Sequence, residues 1–225
     1  PAFTAVAILT LAIGIGANTA IFSFVDAMLL RPLPYPDADR IVRVMEKPPR
    51  GQRNGISTLN FLDWQKDNTV FDFMSGQTGD AVTLTGGTEP IQLRGAQVSA
   101  GYFKVFGVDA ALGRTFLPGE DQLGKNQVAV ISHTLWMTQF GGDPSIVNRT
   151  VLLNNEPYSI VGVLPGGFAL PDGDVDLWWA YPSDGPHAQD TPDNRRLQWY
   201  TGIGRLRPGA SLAQAWADLT LVQRR

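Results

Sequence analysis

The stretch NTAIFSFVDAMLLRPLPYPDADRIVRV, Asn18 to Val44, runs from apolar sequence into a proline-spaced turn and then into an alternating segment, with no flexible linker between them. Upstream the chain is uncharged from Pro1 to Val25, and Asp26 is its first ionisable side chain. A helix rising about 1.5 Å per residue over such a run is long enough for a hydrocarbon core of about 30 Å. Residues 1–30 are therefore expected to form a transmembrane helix. A buried core helix and a cleaved signal peptide are the alternatives. ANTA, residues 17–20, imitates a cleavage site, but the apolar run continues through Ile21, Phe22, Phe24 and Val25. Ala12, Gly16 and Ala20 fall four apart, the small-residue spacing that lets a second membrane helix approach closely.

The joint that follows is Leu30, Arg31, Pro32, Leu33, Pro34, Tyr35 and Pro36. Prolines at alternate positions fix φ, forbid continuation of the helix and push each preceding residue toward extended conformations. Next, RIVRVME alternates Ile41, Val42, Val44 and Met45 with Arg40, Arg43 and Glu46, as a strand does. A stiff joint passes the movement of a helix into the domain it carries, whereas a Gly/Ser linker absorbs it. Spacing alone favours the simpler reading, a stop signal without a mechanical role.

Composition narrows the classes. The chain has 225 residues with 44% hydrophobic content, enough for a packed core. Its 24 glycines and 16 prolines imply many turns but not low-complexity disorder. A formal net charge of -3 leaves no basic footprint for nucleic acid. With no cysteine there is no disulfide framework, no thiolate metal site and no cysteine nucleophile. Beginning at Pro1 and ending in LVQRR, the chain reads as a fragment of a longer protein.

Beyond the first strand, STLNFLDWQKDN reads as a helix capped by Ser57 or Thr58. FDFMSGQ follows as a strand, closing a strand, helix, strand unit. DAVTLTGGTEPIQLRGAQV gives two alternating runs joined at Gly86 and Gly87. SAGYFKVFG predicts a short helix between a cap at Ser99 and a stop at Gly107. QVAVISHTLWMTQFGG is strand then helix. TVLLNNEPYSIVGVL is a hairpin about Asn154 and Asn155, with Pro157 at an edge. After an irregular section, LQWYTGIGRLRPG is a strand, and Ser211 with Gln214 forms a capping box opening a helix whose apolar face is Leu212, Ala215, Trp216, Leu219 and Val222. Strands and helices in this mixed order predict an α+β domain.

Several motifs imitate catalytic sites. GEDQLGKN places Gly119, Gly124 and Lys125 at phosphate-loop spacing, with Asn126 where Ser or Thr belongs. It precedes a strand rather than opening a helix, so it reads as a surface turn. The only histidines are His133 and His187; Ser132 beside His133 is better placed as a helix cap than as a nucleophile, and no G-x-S-x-G elbow is present. Asp172, Asp174 and Asp176 resemble part of a calcium loop but lack its closing glutamate. Trp178, Trp179, Trp199 and Tyr200 suit packing more than a ligand surface. No catalytic, cofactor-binding or metal-ligating residue is assigned.

The order and wording of several stretches resemble permease subunits of the MacB/FtsX group of ABC transporters, above all their duplicated orphan branch. LTLAIGIGANTAIFSFVDAMLLRPLPYPDADRIVRV resembles the opening of such a subunit. STLNFLDWQKDNTVFDFM, VSAGYFKVFGVDAALGRTFLPGED, VAVISHTLWMTQFGGDPSIVNRTVLLNNEPYSIVGVLP and GRLRPGASLAQAWADL follow in order over almost the whole chain. The resemblance implies one N-terminal transmembrane helix, residues 1–30, then a two-lobed extracytoplasmic α+β domain over 31–225. Residues 31–80 and 197–225 would form a membrane-proximal, porter-like lobe lacking its last strand, and 81–196 a β-rich distal lobe. It also implies a non-catalytic permease in the inner (plasma) membrane that binds no cofactor itself, ATP being bound by a separate cytoplasmic ABC ATPase. The other implied partners are a second permease copy or half, a periplasmic adaptor and the bilayer. On this resemblance the joint Leu30 to Pro36 becomes the expected coupling element, and Ala12, Gly16 and Ala20 the expected helix-packing stripe. Envelope regulation of a cell-wall hydrolase, as in the cell-division branch, is the alternative function, and a membrane-anchored enzyme a more distant one. Arg31, Arg40, Arg43, Lys47 and Arg50 after the span run against this topology, because the positive-inside rule puts such a flank in the cytoplasm.

Overall fold

The computed structural model describes residues 2–25, 35–46, 55–87, 89–168, 170 and 173–223. Two compact units divide the chain, residues 1–33 and 34–225. The first contains helix α1, Ala2–Val25, whose stretch Phe3–Ser23 has the length and composition of a membrane span and holds no buried residue among those described. Ala12, Gly16 and Ala20 are exposed on it, and a Cβ at Gly16 meets no atom within 4 Å. Leu30 to Pro34 of the expected joint lie outside the described residues; Tyr35 and Pro36 lie within them.

The second unit is a mixed α+β domain. Its strands are β1 (Ile41–Val44), β2 (Phe71–Thr85), β3 (Ile91–Val98), β4 (Leu112–Gly113), β5 (Val128–Ile131), β6 (Thr150–Leu153), β7 (Glu156–Val163), β8 (Leu177–Ala180) and β9 (Thr201–Leu206). Among the described residues they join one sheet in the order β1-β9-β2-β3-β8-β5-β7-β4, with β6 pairing both β2 and β7. The helices are α2 (Thr58–Asp67), α3 (Tyr102–Phe106), α4 (His133–Phe140), α5 (Pro192–Arg196) and α6 (Leu212–Gln223).

Local chemistry sets most of these boundaries. Ser57 Oγ accepts from Asn60 N at 3.2 Å and Ser132 Oγ from Leu135 N at 3.1 Å, each satisfying a free N–H of a first helical turn. Gly107 and Gly141 close α3 and α4 in the left-handed region. Ser211 and Gln214 satisfy each other reciprocally: Gln214 N donates to Ser211 Oγ, and Ser211 N to Gln214 Oε1. Asn154 and Asn155, at φ 50° and 68°, make the two-residue turn between β6 and β7. Pro157 faces Leu152 one pair beyond the turn, ahead of the β5 pairing that begins at Ser159, so the ladder needs no donor from it.

Three features differ from the sequence reading. FDFMSGQ and DAVTLT form one strand, β2, which pairs β9 over Phe71–Gln77 and β3 over Gln77–Leu84. Thr78 and Gly79, left between the two expected strands, sit inside the ladder just past Gln77, where the partner changes. Ser99 does not cap α3 with its side chain: its Oγ pairs with Ser75 Oγ at 2.6 Å and accepts from Gly76 N, tying the end of β3 to β2. The apolar face of α6 is covered only in part. Ala215 and Val222 are buried, whereas Leu212 and Trp216 are 67% and 71% exposed.

Apolar side chains gather in three clusters. One, around Ile56, Phe61, Trp64, Tyr200, Ala215 and Val222, joins α2 and α6 to the β1-β9-β2 end of the sheet. A second, around Ile131, Leu153, Ile160 and Trp179, fills the β5-β7 end. The third surrounds α3 with Tyr35, Phe103, Phe106, Phe116 and Trp178. Each fully buried large side chain contributes roughly 1.5–3 kcal/mol.

Candidate functional site

The third cluster receives the first described residues of the domain. Tyr35 is 7% exposed, its ring 4.9 Å from that of Phe106 and 5.8 Å from that of Phe168, measured between centroids. Burial pushes its hydroxyl up to about 12. Pro36 follows against Gly107: a Cβ on that glycine would stand 3.7 Å from Pro36 Cγ. Asp37 then turns the chain in the left-handed region, at φ 47° and ψ 50°, ahead of a 3₁₀ turn over Ala38–Arg40. Asp tolerates that region because its short polar side chain can bond locally; here Asp37 Oδ2 accepts from Arg40 Nη1 at 3.1 Å.

Two arginines fasten this turn to the sheet. Arg40 Nε donates to Leu206 O at 2.8 Å, and its Nη2 pairs with Asp72 Oδ2 at 2.5 Å. From the opposite side, Arg205 of β9 reaches back with Nε donating to Val105 O at 2.8 Å and Nη1 to Asp37 O at 3.4 Å. Arg205 is only 6% exposed, and its Nη2 has no hydrogen-bond partner. The entry turn, the last turn of α3 and strand β9 therefore share one guanidinium. Of the expected joint, the described part is Tyr35 and Pro36, and both are held. Sequence reasoning missed Arg205 and placed Arg40 only in the alternation of the first strand and in the basic flank after the span. The available signal was an arginine in GIGRL, a strand segment otherwise free of charge.

The motifs that imitate catalytic sites are occupied by structural work. Gly119 and Gly124 adopt positive φ in turns ahead of β5, Lys125 Nζ donates to Gln122 Oε1, and no helix follows to meet a phosphate. Within that loop Glu120 takes a fork from Arg114, at 2.8 and 2.6 Å, and a third bond from Leu117 N. Burial works against its charge, yet the Arg114 and Leu117 bonds outweigh that and leave its carboxyl below the usual range. His133 lies edge-on to Trp136 and His187 edge-on to Trp199. Asp174 and Asp176 face Arg94 at 3.7 and 3.4 Å, and Asp172 lies outside the described residues. Trp178 and Trp179 are 1% and 6% exposed, within two different clusters. A cleft of about 480 Å³ beside β2 is lined by Asp72, Lys104, Asp121 and Arg207; Asp72 is tied to Arg40, and Asp121 Oδ2 accepts from Ala100 N.

The family model described as MacB-like periplasmic core domain matches residues 4–222. Among solved structures, the periplasmic region of MacB from Actinobacillus actinomycetemcomitans superposes with a TM-score of 0.59 at 17% identity, over 82% of this chain and 83% of that one. The extracellular domain of the noncanonic ABC-type transporter YknZ from Gram-positive bacteria superposes with a TM-score of 0.57 at 15% identity, over 82% and 93%. At these identities the likeness is one of fold. No curated protein sequence matches the chain.

Proposed function

Because the chain belongs to the MacB-like periplasmic core domain family, we propose that it is the permease subunit of an ABC transporter in the inner membrane, converting ATP-driven motion of membrane helices into motion of an extracytoplasmic domain during export. The family is one of ABC transporter permeases, so the context includes an ATPase partner. In this reading the ATPase is a separate cytoplasmic subunit, a second permease copy or half packs on the Ala12, Gly16, Ala20 stripe, and a periplasmic adaptor receives the cargo. The chain supplies mechanics, and ATP chemistry stays in the other subunit.

The observation that carries this reading is the anchorage of Tyr35–Arg40. A segment hung from the domain surface would dissipate a displacement, whereas this one is buried at Tyr35 and bonded to β9 and β2 through Arg40 and Arg205. The joint Leu30 to Pro36 is the coupling element in the proposal. Its test is replacement of Pro32, Pro34 and Pro36 by glycine in the full-length permease. Export should fall while ATP hydrolysis continues, and unchanged export sinks the mechanical role. Capture of a cell-wall hydrolase from the envelope, with no adaptor or cargo, would point to the regulatory branch instead.

A further inference from the structure

Arg205 is chemically out of place. An arginine that is almost wholly removed from water is ordinarily met by a carboxylate, because an unpaired buried charge is costly. Among the described residues no carboxylate pairs with it; its bonds run to two backbone carbonyls, Val105 O and Asp37 O, and Nη2 has none. Carbonyls at the end of a helix carry partial negative charge and lack intrahelical donors, so Val105 O is a natural acceptor for a cation. Asp37 O belongs to a turn held at positive φ. Gly107, which ends α3 at φ 65°, lies against both partners: a Cβ there would stand in ordinary contact, 3.6 Å from Nη2 and 3.7 Å from Pro36 Cγ.

We infer that Arg205 is a positioning residue, a two-armed strut that fixes the entry turn Tyr35–Asp37 to the end of α3 and to β9, so that the turn, the helix and the sheet move as one body. The inference deepens the proposed coupling role and names the element through which it acts. The geometry favours a strut over a stability element. A methionine would fill a similar volume without a buried charge, so packing alone does not call for a guanidinium; what a methionine lacks is the pair of hydrogen bonds. The guanidinium's own contribution is to reach two carbonyls that lie 68 residues apart in sequence. Its planar fork is suited to that, and the single ammonium of lysine is not.

The chain has no cysteine, so labels can be placed cleanly. Asp39 and Lys104 are exposed on the two elements the strut joins. In the full-length permease with its ATPase, Asp39→Cys and Lys104→Cys carry nitroxides, and the distance distribution between them is measured by pulsed electron resonance without nucleotide and with a non-hydrolysable ATP analogue. With Arg205 present, one narrow distribution is expected in both states. Arg205→Met should lose the narrow component, and Arg205→Lys should retain only part of it. A distribution already broad in the Arg205 protein, or one left narrow by both substitutions, overturns the inference. If the methionine variant does not fold, the lysine variant decides alone. Export per ATP is read separately, with hydrolysable ATP, on the same labelled proteins: a narrow distribution lost on substitution, with ATP hydrolysed but nothing exported even when Arg205 is present, would leave the strut standing and remove the transporter reading.

Discussion

The ring of Tyr200 occupies the space that a side chain on Gly76 would need. A Cβ built on Gly76 falls within that ring, and Tyr200, 2% exposed, is held there by Phe61, Tyr181 and Trp199 at centroid distances of 5.5, 5.2 and 5.7 Å. Its backbone is fixed as well, since Ile56 and Tyr200 exchange hydrogen bonds of 2.6 and 3.1 Å. Gly76 lies next to the residue where β2 passes from β9 to β3. Close approach therefore sets the requirement for glycine here. Gly76→Ala should lower stability by about 1–3 kcal/mol or more, the usual range for overpacking a closed core. Gly79→Ala is the control: on the same strand its Cβ meets nothing within 4 Å, and its effect should stay within about 0.5 kcal/mol. Urea midpoints for the two variants decide the matter, and equal midpoints would refute the packing argument.

Alkaline pH should expose the buried phenols. Burial pushes Tyr35 up to about 12, and it raises Tyr158, Tyr181 and Tyr200 as well, Tyr200 well above the ordinary range. A group whose folded pKa exceeds its unfolded value favours the folded state below the unfolded pKa, near 10 for tyrosine, and loses that contribution as pH rises through the folded value. Stability should therefore hold to about pH 10 and decline from there toward 12. Tyrosinate absorbance should appear together with loss of circular dichroism, and Tyr35→Phe should remove part of the decline. Full ionisation near pH 10 with structure intact would contradict the assignment.

The parts legible in the sequence are those decided by near neighbours. Ser57, Ser132 and the Ser211–Gln214 pair cap the helices expected of them, and Asn154–Asn155 turns its hairpin, because a cap or a tight turn is settled within about four residues. Long-range pairing erased the expected break after Gln77, since β3 takes up the ladder where β9 leaves it, and no local pattern reports that Gly76 is required by a tyrosine 124 positions away. Ser99 lies two residues ahead of Gly101, which takes the cap position of α3, and Ser75 across the ladder claims its hydroxyl. The candidate site was half visible. Proline spacing marked the joint, whereas Arg205, which meets Val105 and Asp37, is defined by contacts 100 and 168 residues away. The basic flank that argued for a cytoplasmic domain is partly spent on structure, because Arg40 is bound by Asp72, Asp37 and Leu206 O.

The side of the membrane on which the domain lies can be tested with one cysteine. Asn155, at the tip of a hairpin, is a poor place for it, because a residue at φ 68° without an Asn or Gly side chain adds strain of roughly 1–2 kcal/mol. Asp109 is exposed and lies outside the helices and strands. Asp109→Cys in the full-length protein should react with a membrane-impermeant maleimide in intact cells. Labelling only after lysis would place residues 34–225 in the cytoplasm and restore the positive-inside reading.

Helix α6 supplies the sharpest test of the expected missing strand. Among the described residues strand β1 is the outer strand at its end of the sheet, paired with β9 alone, and α6 leaves β9 as α2 leaves β1. A right-handed crossover from β9 over β1 would carry a strand that followed α6 to that edge. Leu212 and Trp216 share one flank of α6, four residues apart, and Asp218 bonds Thr69 from another face. A strand beside β1 would cover the exposed flank, and the expected apolar face of α6 would then be complete. Trp216→Ser should accordingly change stability by no more than about 0.5 kcal/mol in the 225-residue chain, where the indole is 71% exposed. In the full-length permease the same substitution should cost about 3–5 kcal/mol, the range for truncating a buried tryptophan. Thermal unfolding of both lengths in the same detergent provides the comparison. An equal, small effect in the two would mean that Trp216 stays at the surface and that the β1 edge is closed by something other than the chain that follows α6.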